Sequence, residues 1–191
     1  MMDNDQSAAE RFLKICHPID TIVIGFLRSA RIGILLLGVF LTAVSCVSSR
    51  GKAGVITGIA TVIDGDTIRV QGRTIRFHGM DAPERNQRCR RGKTRYRCGR
   101  TATKALARKI NRRTVRCASQ NHDRYNRIIA VCRAGGANLN AWMVLRGHAV
   151  AYRRYSLDYI PAEHEARSEG RGIWAGEFIF PWNWRRGKRL D

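Results

Sequence analysis

Val55–Ile63, Thr67–Val70 and Thr74–Phe77 alternate apolar or small residues with polar ones. A period of two puts successive side chains on opposite faces of an extended strand, so this part of the chain reads as three strands with one buried face. Gln71-Gly72, between the second and third runs, is a hairpin turn signal. A second hairpin carries its own register mark. Thr114–Cys117 and Ile128–Cys132 flank the polar turn His122-Asp-Arg-Tyr-Asn126, and Cys117 and Cys132 are equidistant from a centre between Arg124 and Tyr125. Residues so placed face one another across an antiparallel pair about 4.5–5.5 Å apart, which a disulfide can span. Pairing Cys117 with Cys132 leaves Cys89 and Cys98 to close a small loop in the Arg-rich stretch from Arg88 to Cys98. A zinc site is the competing reading of these four cysteines. It is disfavoured because no C-x₂-C pair is present and His122 alone lies near them at ligand spacing.

Helical spacing appears three times. Ala102, Ala105, Leu106 and Ile110 line one side of Thr101–Arg112, with basic residues between them. Asn138 can cap a helix bearing Leu139, Trp142, Met143 and Leu145 that stops at Gly147, and Pro161 begins a more polar helix running to about Glu169. Five strands, with one helix between the third and fourth and two behind, indicate an α+β fold: a five-stranded OB-type barrel with about three helices. No internal repeat is visible.

Of the 191 residues 44% are apolar, and these fall in clusters, so a packed core rather than a disordered basic chain is expected. The balance of 35 Lys and Arg against 15 Asp and Glu leaves a net charge of +20. Residues 1–53 contribute only +2 of it, and residues 54–191 hold 29 basic and 11 acidic side chains. Such a surface calls for an anionic partner, nucleic acid or membrane, unless it is simply Arg-rich.

Residues 1–53 read as a signal or anchor segment outside the fold. Ile32–Val47 is free of charge and preceded by Arg28 and Arg31. Sixteen residues are short for a span of about 20 and suit the apolar region of an export signal. The stretch ahead of it is long for such a signal, and Ile22–Leu27 forms a smaller apolar patch. Ala43 and Ser45 fit a cleavage site before Cys46, which also sits in a loose lipobox, and an uncleaved anchor is the third option. Export to the periplasm or cell exterior is therefore expected, with membrane contact only through this segment. The even cysteine count agrees with an oxidising destination. Residues 54–175 are read as the folded domain and residues 176–191 as a basic tail rich in Trp and Arg.

Asp64, Asp66, Asp81 and Glu84 fall within twenty-one residues of this basic domain, in Val62-Ile-Asp-Gly-Asp-Thr67 and Phe77-His-Gly-Met-Asp-Ala-Pro-Glu84. Like charges raise one another's pKa unless a cation joins them, and hard oxygens from two neighbouring loops suit Ca²⁺ or Mg²⁺. Arg76, on the face opposite Ile75 and Phe77, leads into the second acidic loop, and Arg127 opens the strand after the hairpin turn. Two guanidiniums near a metal can clamp a phosphodiester and stabilise its growing charge.

In its motifs and their order the chain resembles the staphylococcal nuclease family from about Ile56 to Trp174. The marks are Ile63-Asp-Gly-Asp-Thr67, Arg76-x₄-Asp81-Ala-Pro-Glu84, Asp123-Arg-Tyr-Asn-Arg127, Leu139 to Gly147, Ala151-Tyr152 and Gly172-Ile-Trp174. The resemblance implies a monomeric Ca²⁺-dependent nuclease of OB fold acting on DNA, RNA or both and leaving 3′-phosphates. It implies Asp66, Asp81 and the carbonyl of Ala82 as metal ligands, Glu84 as the residue that positions or deprotonates water, and Arg76 and Arg127 as the phosphate-binding pair. Arg124 and Tyr152 match positions that contact the terminal phosphate and the nucleotide. The sequence departs from the pattern at Ala82, where Thr is common, at Asn126, where Gly is usual, and in the spacing of Tyr152 and Tyr155. Asn tolerates the left-handed backbone that such a turn needs. The alternative is a non-catalytic OB module binding single strands through a basic groove with Tyr and Trp for stacking.

Overall fold

The computed structural model describes residues 54–190. The expectations placed on residues 1–53, including the apolar run 32–47 and Cys46, lie outside them. Strands β1 (Val55–Val62), β2 (Thr67–Val70) and β3 (Arg73–Phe77) form an antiparallel meander. β7 (Thr114–His122) pairs with β1, β8 (Ile128–Ala134) pairs with β7, and β8 closes the ring by running parallel to β3. The result is a closed five-stranded barrel. Between β3 and β7 lie β4 (Met80–Asp81), β5 (Cys89–Arg91), β6 (Thr94–Tyr96) and α1 (Cys98–Ile110). After β8 come β9 (Ala137–Asn138), α2 (Leu139–Leu145), β10 (Val150–Ala151), α3 (Ile160–Ser168), a 3₁₀ turn (Gly172–Ala175) and α4 (Pro181–Arg185).

The alternation read from the sequence sets which side chains fill the barrel. Ile68, Ile75, Phe77 and Leu106 are fully buried, together with Leu139 and Met143 of α2. The Cys117–Cys132 disulfide lies in this core, with the two residues directly opposite each other in the β7–β8 register. Nearer the turn, a bulge between Ser119 and Asn121 shifts the pairing by one residue. Asn140 stitches the barrel's parallel seam from inside: its side chain accepts from the Cys132 N–H and donates to the carbonyls of His78 and Ala130.

Three local features differ from the expectation. The first helix begins at Cys98 rather than Thr101, and it ends at Ile110 because Asn111 turns left-handed at φ 43° while its N–H bonds back to Ala107. The Arg-rich stretch forms a hairpin, β5–β6, in which Cys89 pairs with Tyr96, and the Cys89–Cys98 disulfide ties it to the start of α1. Third, the chain beyond residue 175 packs onto the domain. Cys89, Cys98, Val150 and Ile173 make a second small core, against which Tyr96, Trp174, Phe178, Phe180 and Trp182 pack. Short strands and a five-residue helix leave little periodic signal, whereas aromatic burial against this second core holds them in place. Among the described residues no helix is long and apolar enough to cross a membrane.

His148 follows α2 and tilts against Trp142. Burial first, and then Arg146 and Arg108, push its imidazole down to about 4. The folded protein thus favours the neutral ring, and the unfolded chain takes up the proton near the ordinary value of about 6.5. His148 accordingly contributes stability above about 6.5 that is lost as the pH falls towards about 4. Urea denaturation across this window is expected to show a shallower loss for His148→Gln than for the parent protein; equal slopes would mean that the ring titrates normally.

Candidate active site

The two acidic loops meet at one end of the barrel because small residues let them. Gly65 sits between Asp64 and Asp66, and a Cβ there would come within 2.7 Å of the Ala82 side chain and 2.9 Å of Ala102. At Gly99, near the start of α1, a Cβ would stand 1.8 Å from the Glu84 carbonyl. Substitution at either glycine would push the DGD turn or the DAPE loop away from the site.

Strand pairing does the rest. Thr67 faces Arg76 in the β2–β3 register, and the β4–β10 bridge pairs Asp81 with Val150. Arg76 reaches between the loops and donates to Asp66 Oδ1 at 2.9 Å and to Asp81 Oδ1 at 2.7 Å. Asp66 also accepts from the Thr67 hydroxyl at 2.9 Å and the Ala82 N–H at 3.2 Å. Asp66 and Asp81 are buried, while Glu84 is about two-fifths exposed. Burial would raise the Asp66 carboxyl, but the Arg76 charge and the hydrogen bonds it accepts hold it below the ordinary value. At Asp81 burial prevails, and the carboxyl lies above that value despite two arginine partners. Asp64 is pushed up to about 7, by burial and then by the neighbouring Asp66 charge.

Arg127 joins Arg76 through the barrel closure. β3 and β8 run parallel with Arg76 opposite Ile129. Arg127, two residues before Ile129, therefore shares the face of Arg76, away from the buried Ile75 and Ile128. Its guanidinium is held by Asp123, which accepts from Nε at 2.7 Å and from the Arg127 N–H at 2.9 Å. Asn126 takes the left-handed conformation, φ 60°, that the turn requires. The local sequence marks Asp123 only through the Asp-Arg-Tyr-Asn-Arg turn that contains it.

The remaining candidates sit around this cluster. Arg124 lies over the exposed Tyr125 ring at 4.8 Å, and its contact there is with that ring rather than with the acids. Tyr152 follows β10, and its N–H donates to the Gly79 carbonyl beside β4. Its ring stacks on Trp182 at 5.2 Å. The four candidate cysteines are used in disulfides, which removes the zinc reading for them.

Arg185 joins the cluster without a local sequence mark of its own. From the end of α4 it donates to both Asp81 oxygens, at 3.1 and 2.7 Å, and to Glu84 Oε1 at 2.7 Å. Among the described residues no three His, Cys, Asp or Glu side chains form a ready metal cage. Asp66, Asp81 and Glu84 are bound by guanidinium groups. As a donor set they still suit a hard divalent cation: buried Asp oxygens from two loops, the adjacent Ala82 main chain, and no nitrogen or sulfur ligand.

Comparison with known proteins points to the same family. The sequence model of the family described as staphylococcal nuclease homologue matches residues 74–176. An uncharacterized endonuclease of Haemophilus influenzae is 35% identical over 115 residues, covering 59% of this chain and 60% of its own length. The succinoglycan biosynthesis protein ExoI of Rhizobium meliloti is 37% identical over 158 residues, 78% of this chain and 82% of that protein. A micrococcal nuclease of Shigella flexneri is 33% identical over 124 residues, covering 58% and 66% of the two chains. The chain thus spans less than two thirds of the Haemophilus relative. Asp66 and Arg185 both lie outside the stretch matched by the family model.

Removing the Arg76 guanidinium leaves two buried carboxylates short of a partner. Arg76→Gln is expected to lower stability at neutral pH by about 3–5 kcal/mol, the scale for breaking a buried ion pair from one side. The deficit should shrink as the pH is lowered and Asp66 and Asp81 take up protons. Urea denaturation at pH 5 and pH 8 measures both effects, and a pH-independent deficit would contradict the assignment.

Proposed function

Because the chain belongs to the staphylococcal nuclease family, we propose that it is a metal-dependent nuclease hydrolysing phosphodiester bonds of DNA, RNA or both, with Ca²⁺ as its cation. The observation that carries this reading is the placement of Arg76 between two buried aspartates, beside the parallel strand β8 that Arg127 immediately precedes. Two guanidiniums so placed suit bidentate capture of a phosphodiester and stabilisation of the charge that grows on its oxygens. Asp66, Asp81 and the Ala82 carbonyl would hold the cation, which supplies positive charge to a phosphoryl oxygen when bound. Glu84 is the accessible carboxylate of the cluster and accepts the proton of the attacking water. Asp123 acts as a positioning residue by fixing the Arg127 guanidinium. Arg124 and Tyr152 flank the site as contacts for a phosphate and a nucleotide.

The surplus of 29 basic over 11 acidic residues in 54–191 supports electrostatic capture of the substrate, weakening as salt is raised. The two disulfides support an oxidising destination, and we propose export with residues 1–53 as the targeting or anchoring segment.

Incubation with DNA and with RNA, with Ca²⁺ or with EGTA, tests the assignment: degradation only with Ca²⁺ is expected. Tight, salt-sensitive binding without cleavage would instead favour a binding module. Arg76→Ala, Arg127→Ala and Glu84→Ala should each lower turnover at least about tenfold, the scale of a single transition-state contact. Parent-like rates in all three would remove the mechanism. Asp123→Ala should lower turnover while leaving Arg127 present, and a rate equal to the parent's would show that Arg127 needs no such support.

A further inference from the structure

The C-terminal segment enters the site at two points. Arg185 meets Asp81 with both terminal nitrogens and shares one of them with Glu84. Three residues earlier, Trp182 lies on the Tyr152 ring at 5.2 Å and 15°, and Phe180 continues the stack at 4.7 Å and 16°. One short helix thus covers the carboxylates with a cation and the tyrosine with an aromatic ring.

The anchors of this segment lie upstream of those contacts. Arg90 and Glu177 exchange backbone hydrogen bonds at 2.9 and 2.8 Å, and Gln87 donates to the Ile179 carbonyl at 2.6 Å. Beyond Pro181 the chain forms α4, closed by the Trp184 N–H to Phe180 carbonyl bond at 3.0 Å, and its Trp182 packs on the second core as well as on Tyr152. A rearrangement confined to residues 182–190 breaks none of the anchor hydrogen bonds and neither disulfide, and it gives up the packing of Trp182 on the second core.

Charge makes the occupancy consequential. The cluster needs positive charge, and Arg76 alone cannot balance Asp66, Asp81 and Glu84. Arg185 supplies it. A divalent cation on Asp81 would stand against the Arg185 guanidinium on the same carboxylate, and like charges at that distance repel. We propose that Arg185 is the resident cation of this site, and that a divalent cation binds Asp66 and Asp81 only as Arg185 leaves Asp81 and Glu84 and Trp182 leaves Tyr152. The inference rests on the nuclease reading for the identity of the cation and for the nucleotide at Tyr152. Departure of one segment then exposes the metal ligands, the water-activating carboxylate and the stacking ring together.

Calcium affinity, measured by titration calorimetry without nucleic acid on the full chain, tests this independently of catalysis. If Arg185 occupies Asp81 for about nine molecules in ten, Arg185→Gln should bind Ca²⁺ about tenfold more tightly, because the fraction competent to bind rises to one. Arg185→Lys, which keeps the charge but loses the bidentate fork, should fall between. Addition of Ca²⁺ should change the tryptophan fluorescence of the parent protein and do so far less in Trp182→Phe. Should Arg185→Gln fail to fold, NMR of the Arg185 guanidinium in the parent protein replaces it: N–H signals protected without metal should lose protection at saturating Ca²⁺. Equal affinities in Arg185→Gln and parent, or guanidinium signals still protected with Ca²⁺ bound, would overturn the competition while leaving the nuclease reading intact. Absence of Ca²⁺ binding in both proteins would overturn both.

Discussion

The Arg76 guanidinium bridges Asp66 and Asp81 at 2.9 and 2.7 Å, and the architecture at this end of the barrel depends on that bridge. From β3 it ties the turn before β2 to β4, two pieces of chain whose carboxylates would otherwise repel. Desolvating these groups is costly, and apolar residues of similar volume hold a fold at least as well as buried ion pairs. Buried acids at the end of a largely apolar barrel therefore point to chemistry rather than to stability. The bridge also leaves a shortfall of positive charge, which Arg185 meets from more than a hundred residues away along the chain.

Two cores divide the remaining work. The barrel core, in which Cys117–Cys132 joins the neighbouring strands β7 and β8, fixes β3 against β8 and so sets Arg76 beside the start of β8, which Arg127 precedes. The second core gathers the β5–β6 hairpin, the Cys89–Cys98 disulfide and the aromatic C-terminal chain. It is this second assembly that delivers α4 to the site. C-terminal packing is thereby tied to Asp81, Glu84 and Tyr152.

Much of the barrel was legible because its signals are local and periodic. Ile75 and Phe77 are buried and Arg76 is not, as alternation required, and Cys117 faces Cys132 as their equal distance from the turn required. Asn138 caps α2 by accepting from the Ala141 N–H, as its position ahead of Leu139 indicated. The start of α1 and the strands of two or three residues were not legible. Their placement comes from a disulfide and from aromatic contacts distant in sequence rather than from propensity, which tertiary packing overrides.

By itself the sequence determined the fold class, the register of the central hairpin and the chemistry available: hard oxygen donors and guanidiniums in the order of a known family. It could not decide which of 29 basic residues meet the acids. Arginines look alike along a chain, and only distance and burial distinguish one that neutralises a carboxylate from one that faces water. Arg76 was marked by its strand and Arg127 by its turn, but Arg185 had no local mark beyond the Pro-Trp-Asn-Trp-Arg run that carries it. Its place on Asp81 and Glu84 is a tertiary decision, made where the second core folds the C-terminal chain back across the mouth of the barrel.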